Sequence, residues 1–143
     1  MSLDQETRKQ LLDTLERFVR ERLIPLEARI EEEDTIPTEV IEEMKKMGLF
    51  GLSIPMEYGG FGLGTVDDVL VNIVFGYTTA PFSTIFGTNT GIGSQGIVID
   101  GTDEQKKKYL PKLASGDIIG SFALTEPGAG SDVVSMKLKA EKK

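Results

Sequence analysis

The sequence predicts a mainly α-helical chain that closes on the first strands of an incomplete β-domain. Three observations carry that expectation. Apolar residues recur at helical spacing in successive segments up to Gly116, each with start and stop signals of its own. After Asp117 the period changes to two. Only two alternating segments follow, and two strands alone are marginal in water, so the sheet is interrupted.

The elements follow in order. Residues 3–23 carry Leu11, Leu15, Phe18, Val19 and Leu23 on one face and charges on the other, an amphipathic helix. Ser2-Leu3-Asp4-Gln5 fits a capping box at its start. Pro25 interrupts it, having no amide hydrogen to donate. A short acidic helix through Glu31, Glu32, Glu33 and Asp34 reads as a solvated face. Pro37 opens the next helix, with Val40, Ile41, Met44 and Met47 as its apolar stripe. Lys45 and Lys46 suit the negative end of its dipole, and Gly48 suits a left-handed stop. The glycine-rich run from Met56 to Gly62 reads as tight turns, since nothing places it between a strand and a helix.

Residues 65–79 form a helix that opens with Asp67 and Asp68 and carries Val69, Leu70, Ile73 and Val74. Residues 82–100 are apolar but rich in Gly87, Gly91, Gly93, Ser94 and Gly96. They suit a buried helix and one wall of an apolar pocket equally well. Thr102-Asp103-Glu104-Gln105 is a capping box for a helix that turns Tyr109, Leu110 and Leu113 inward, bends near Pro111 and stops at Gly116. Leu15, Phe18, Met44, Val69, Ile73 and Leu113 are the expected core. Ile118, Gly120, Phe122 and Leu124 then alternate with their neighbours as one strand, and Val134, Met136, Leu138 and Ala140 as a second.

Composition removes several kinds of chemistry. The 143 residues include no cysteine and no histidine. Disulfides, iron–sulfur sites, a thiolate nucleophile, a conventional zinc site and a Ser-His-Asp triad are therefore out of reach of this chain. Difficult chemistry would fall to an organic cofactor. The net charge of -7, with 23 acidic residues against 16 basic, argues against a nucleic-acid partner. No stretch approaches the roughly 20 apolar residues of a membrane span. The polar start is unlike a signal peptide, and a cytoplasmic location is the default expectation.

The connection between the two strands, from Leu124 through Thr125-Glu126-Pro127-Gly128-Ala129-Gly130 to Ser131-Asp132, holds the most chemistry. Its glycines permit a nest of amide hydrogens, and the hydroxyls of Thr125 and Ser131 add donors, a set that attracts phosphate oxygens. It has no Gly-Lys-Ser/Thr end, and Val133 stands where a dinucleotide fingerprint needs its third glycine. A phosphate nest and a structural turn remain equal readings on these residues. Glu126 and Asp132 offer themselves as acid/base groups.

The run from Phe122 to Asp132 closely resembles the signature of the acyl-CoA dehydrogenases. Gly48-Leu49-Phe50-Gly51-Leu52 with Glu57-Tyr58-Gly59-Gly60 resembles the family's early loop. The block from Gly101 to Pro111 resembles the segment before its first sheet. The blocks stand in the family's order, and the match covers essentially the whole chain. The resemblance implies an N-terminal helical domain over residues 1–116 and the truncated start of a middle β-domain over residues 117–143.

The resemblance further implies FAD as cofactor and oxidation of an acyl-CoA thioester to the 2,3-enoyl-CoA. An electron-transferring flavoprotein would be the redox partner, and the full enzyme would be a homo-oligomer. Carried over by position, Phe122, Leu124 and Thr125 lie along the flavin ring. Ser131 meets the FAD pyrophosphate and the acyl-CoA side, and Gly130 allows close approach. The resemblance implies no acid/base role for Glu126 or Asp132 and leaves them as groups that fix the loop. The family's catalytic glutamate belongs to a C-terminal bundle that these residues do not include. No catalytic base and no metal ligand is therefore nominated, and the chain alone is expected to be inactive. Two alternatives accompany this reading: a non-enzymatic helical interaction module, and an acyl-CoA oxidase or flavin monooxygenase of the same architecture.

Overall fold

A computed structural model describes residues 3–141. Asp4 opens helix α1 (Gln5–Phe18) by accepting the Thr7 amide hydrogen at 2.9 Å. The cap is therefore Asp4 itself; Ser2, where the expected box began, lies outside the described residues. A π-turn over Val19–Leu23 prolongs the helix and turns both of those end residues inward. Pro25 falls in the short 3-10 turn Ile24–Leu26, at a position where its missing amide costs no helical bond. The acidic helix α2 (Glu27–Glu33) ends on a left-handed Asp34. Helix α3 (Thr38–Lys46) buries Val40 and Met44 and is followed by Gly48 at φ 74°.

The glycine-rich loop between α3 and α4 (Thr65–Phe75) uses its amides on its own backbone. Phe61 donates to Gly51, Gly62 to Ile54 and Leu63 to Leu52, at 2.8–2.9 Å. A Cβ at Gly60 would stand 2.0 Å from the Ile54 carbonyl oxygen, so the crossing requires glycine there. The small-residue stretch divides into α5 (Ala80–Thr90) and α6 (Gln95–Asp100), and Phe82 and Phe86 of α5 enter the core. Helix α7 (Asp103–Ser115) shows the expected Thr102–Gln105 capping box, runs through Pro111 and stops at Gly116 at φ 75°.

Helix α1 packs on α4, and α5 packs on α4, α7 and the 3-10 turn Leu49–Gly51. The main core joins α1, α3, α4 and α5 around Phe50, Phe75 and Phe86. The Phe75 and Phe86 rings meet edge to face, with centroids 4.7 Å apart. A smaller cluster of Ile54, Leu110, Leu113 and Ala114 seats α7.

Of the expected core, Leu15, Phe18, Met44 and Leu113 are buried, whereas Val69 and Ile73 are 50% and 54% exposed. Helix α4 is apolar around most of its circumference, and the side that meets α1 and α5 is that of Val71, Val74 and Phe75. Tyr109 is likewise half-exposed while its neighbour Leu110 is buried. The expected strands do not pair: among the described residues the one β-feature is an isolated bridge between Glu126 and Ala129. Val133–Ser135, which overlaps the start of the second expected strand, is a 3-10 turn. Alternation favours extended backbone, but a strand also needs a neighbour to exchange hydrogen bonds with. No helix among the described residues is long and apolar enough to cross a membrane.

Candidate functional site

Beyond Gly116 the chain leaves the helical body along a path set by Asn89. This buried α5 side chain donates to the Leu113 and Ile118 carbonyls and accepts the Gly120 amide hydrogen. The loop that follows closes on itself. Glu126 and Ala129 exchange amide–carbonyl bonds at 2.9 and 3.1 Å, with Pro127 and Gly128 at the tip and Ala129 buried beneath. Both loop acids act as fixing groups, as the sequence suggests. The Glu126 carboxylate accepts the Lys137 and Leu138 amides at 2.9 and 2.8 Å and folds the final segment back. The Asp132 carboxylate accepts the Ser135 hydroxyl.

The site residues expected from sequence spread along this exposed feature. Thr125 and Gly130 come together across the turn; a Cβ at Gly130 would stand 4.0 Å from the Thr125 methyl. Leu124 is half-buried, and Phe122, Thr125, Gly130 and Ser131 are exposed. Phe122 sits on the approach to the turn and Ser131 just past it. Among the described residues, the amides of Phe122, Leu124, Thr125, Gly130 and Ser131 donate to no protein acceptor, and the Thr125 and Ser131 hydroxyls are unbonded. These donors meet no protein acceptor among the described residues, and such groups suit a polar ring edge or phosphate oxygens. Among the described residues no cluster of His, Cys, Asp and Glu could hold a metal ion.

Sequence reasoning missed Asn89. The signal available was an amide side chain inside an otherwise apolar, small-residue run, because a buried polar side chain must find partners. A cleft of about 680 Å³ lies elsewhere, between α2, α3 and α5, and none of the expected site residues line it. The carboxylates with opposed titration shifts, Asp67 and Asp68, also lie apart from the loop, at the start of α4.

This geometry can be set beside known proteins. A family model for the acyl-CoA dehydrogenase N-terminal domain matches residues 5–117. The mitochondrial isovaleryl-CoA dehydrogenase of Bos taurus is 41% identical over 140 residues, which are 96% of this chain and 33% of the relative. An acyl-CoA dehydrogenase of Bacillus subtilis (strain 168) is 40% identical over 126 residues, 88% of this chain and 33% of the relative. The crystal structure of an acyl-CoA dehydrogenase complexed with FAD from Bacillus anthracis matches with a TM-score of 0.83 at 37% identity. That match covers 94% of this chain and 23% of the other. The chain spans about a third of the length of the curated relatives it matches.

Proposed function

The chain belongs to the acyl-CoA dehydrogenase family, and from that premise we propose that it serves, within a longer enzyme, the FAD-dependent oxidation of an acyl-CoA thioester to the 2,3-enoyl-CoA. The observation that carries the proposal is the set of donors at Phe122, Leu124, Thr125, Gly130 and Ser131, unsatisfied among the described residues and lying in the run that resembles the family signature. Bound flavin supplies the hydride acceptor for such a reaction. The residues present fit it: Phe122, Leu124 and Thr125 would serve the ring, with the Thr125 hydroxyl as one donor to its polar edge. Ser131 would serve the pyrophosphate and the acyl-CoA side, and Gly130, which carries no side chain beside the Thr125 methyl, would let a ligand approach the backbone. Hydrogen bonds to the ring stabilise the charge of the reduced cofactor and so set its potential.

The proposal assigns this chain binding and orientation, with the α-proton taken by a carboxylate outside it. It divides the chain at Gly116, supported by the left-handed stop of α7 and by a family match that ends at residue 117. Acyl-CoA as substrate, an electron-transferring flavoprotein as redox partner and a homo-oligomeric enzyme belong to the same proposal. So does a cytoplasmic location, which fractionation would check against the mitochondrial location in the bovine relative's name.

The test is Thr125→Val in the full-length enzyme. Removing one hydroxyl opposite a buried polar partner costs about 1–3 kcal/mol. FAD affinity should fall or the flavin potential shift accordingly. Unchanged affinity together with unchanged potential would remove Thr125 from the site.

A further inference from the structure

The segment that carries the proposed flavin contacts is exposed, yet its root is fixed. Asn89 is 0% exposed, one residue before the end of α5. Its side-chain nitrogen donates to the Leu113 carbonyl at 2.6 Å and to the Ile118 carbonyl at 3.2 Å. Its Oδ1 accepts the Gly120 amide hydrogen at 2.6 Å. One side chain thus joins α5, the end of α7 and two successive points on the departing segment. The backbones also touch: a Cβ on Gly120 would stand 2.9 Å from the Gly93 Cα, and one on Gly93 would stand 2.8 Å from the Thr88 carbonyl oxygen.

The end of α5 is itself held in place. The Thr90 carbonyl accepts the Ser53 hydroxyl and, at 3.2 Å, the Gln95 side-chain amide. Gln95 also donates to the Ser53 hydroxyl at 2.9 Å. The early loop and α6 therefore both grip the helix end that holds Asn89. A surface connection does not need a buried amide with its donor and acceptor both used, two facing glycines and a supporting polar network. A segment whose direction matters does.

We propose that Asn89 is the positioning residue of the flavin site: through Ile118 and Gly120 it sets the line along which Phe122, Leu124 and Thr125 leave the helical domain. The inference rests on reading that segment as flavin-contacting. Five extended residues from Gly120 reach about 16 Å. A tilt of about 5° at the root moves the Thr125 end by about 1.4 Å, more than the distance range of a hydrogen bond tolerates. Asn89 acts through the segment and touches no reacting atom.

The experiment has two parts. In the 143-residue chain, NMR hydrogen exchange reads the Gly120 amide directly. That amide should be protected like a helical amide in the wild type and exposed in Asn89→Ala, with α3 amides unchanged. In the full-length enzyme, Asn89→Ala should weaken FAD binding about tenfold or more, as expected when buried partners lose their hydrogen bonds, and should shift the flavin potential. Val40→Ala, a core truncation in α3, should lower stability while leaving both readouts alone, which separates positioning from general destabilisation. If Asn89→Ala fails to fold, wild-type Gly120 exchange still decides: an unprotected amide means the junction does not hold. A folded Asn89→Ala enzyme with wild-type FAD affinity and potential overturns the positioning role. A wild-type enzyme that binds no FAD overturns the flavin reading instead, and Gly120 protection tells that failure from failure of the junction.

Discussion

Asp67 and Asp68 are neighbours at the start of α4, and their carboxyl groups are shifted in opposite directions. The Arg8 guanidinium, 2.6 Å from Asp67, and then the Leu3 amide hold the Asp67 carboxyl below the usual carboxylate range. Burial pushes Asp68 up, and its Oδ1 is enclosed with no hydrogen bond among the described residues. A lowered folded value means that Asp67 stabilises the fold above the unfolded carboxylate value of about 3.9. That contribution is lost as pH falls through the folded value. Asp68 has the reverse sign: its charge costs stability at neutral pH, and protonation relieves the cost as pH falls through its raised value. Urea unfolding from pH 7 down to pH 2 should show Asp67→Asn about 1–3 kcal/mol less stable at pH 7, with a flatter loss toward acid. Asp68→Asn should leave stability at pH 7 equal or higher. Parallel acid profiles for wild type and Asp67→Asn would discard the Arg8–Asp67 linkage.

At the scale of elements, helix α4 shows what periodicity decides and what it does not. Val66, Val69 and Ile73 form an outward apolar stripe, while Val71, Val74 and Phe75 face the core. Phe75→Ala should cost about 3–5 kcal/mol, since it empties the slot beside Phe86. Ile73→Ser, on the outer face, should change stability by no more than about 0.5 kcal/mol. Thermal and urea unfolding of the two variants checks this, and a similar loss for both would reverse the assigned face. Periodicity selects a face only where the opposite face is polar, as on α1 and α3. On α4 the choice falls to its neighbours α1 and α5, which the local pattern does not contain. Capping is a local property, so Thr102, Gly48 and Gly116 were legible as boundaries. Strand pairing is not local: the alternating run 134–140 instead opens in a 3-10 turn and gives its Lys137 and Leu138 amides to Glu126. The turn closed between Glu126 and Ala129 was legible through its proline and glycines. Asn89 was not, because its partners lie 24, 29 and 31 residues along the chain.

At the scale of the whole molecule, the helical body is closed and the proposed site is open. Residues 5–115 share one main core with a smaller cluster beside it, whereas Phe122, Thr125, Gly130 and Ser131 are exposed. For the 143-residue chain by itself, that arrangement predicts neither tight FAD binding nor turnover. The exposed segment offers a few hydrogen bonds, each worth about 0.5–1.5 kcal/mol net. The translational and rotational freedom lost on association costs about 4–15 kcal/mol, so the contacts do not recover it without further enclosure. Turnover has a second obstacle. Removal of an α-proton needs a positioned base; the chain has no histidine, and Glu126 and Asp132 already hold the loop together. The measurement is a visible spectrum after mixing with FAD and dialysis, then an assay with short and long acyl-CoA and a dye acceptor. The band of oxidised flavin at roughly 450 nm, a property of the cofactor, should leave with the dialysate, and the dye should stay oxidised. A retained band with turnover would mean that the 122–131 segment closes over the cofactor unaided, and that a carboxylate of this chain, the exposed Glu57 or one of Glu126 and Asp132 released from the loop, acts as the base.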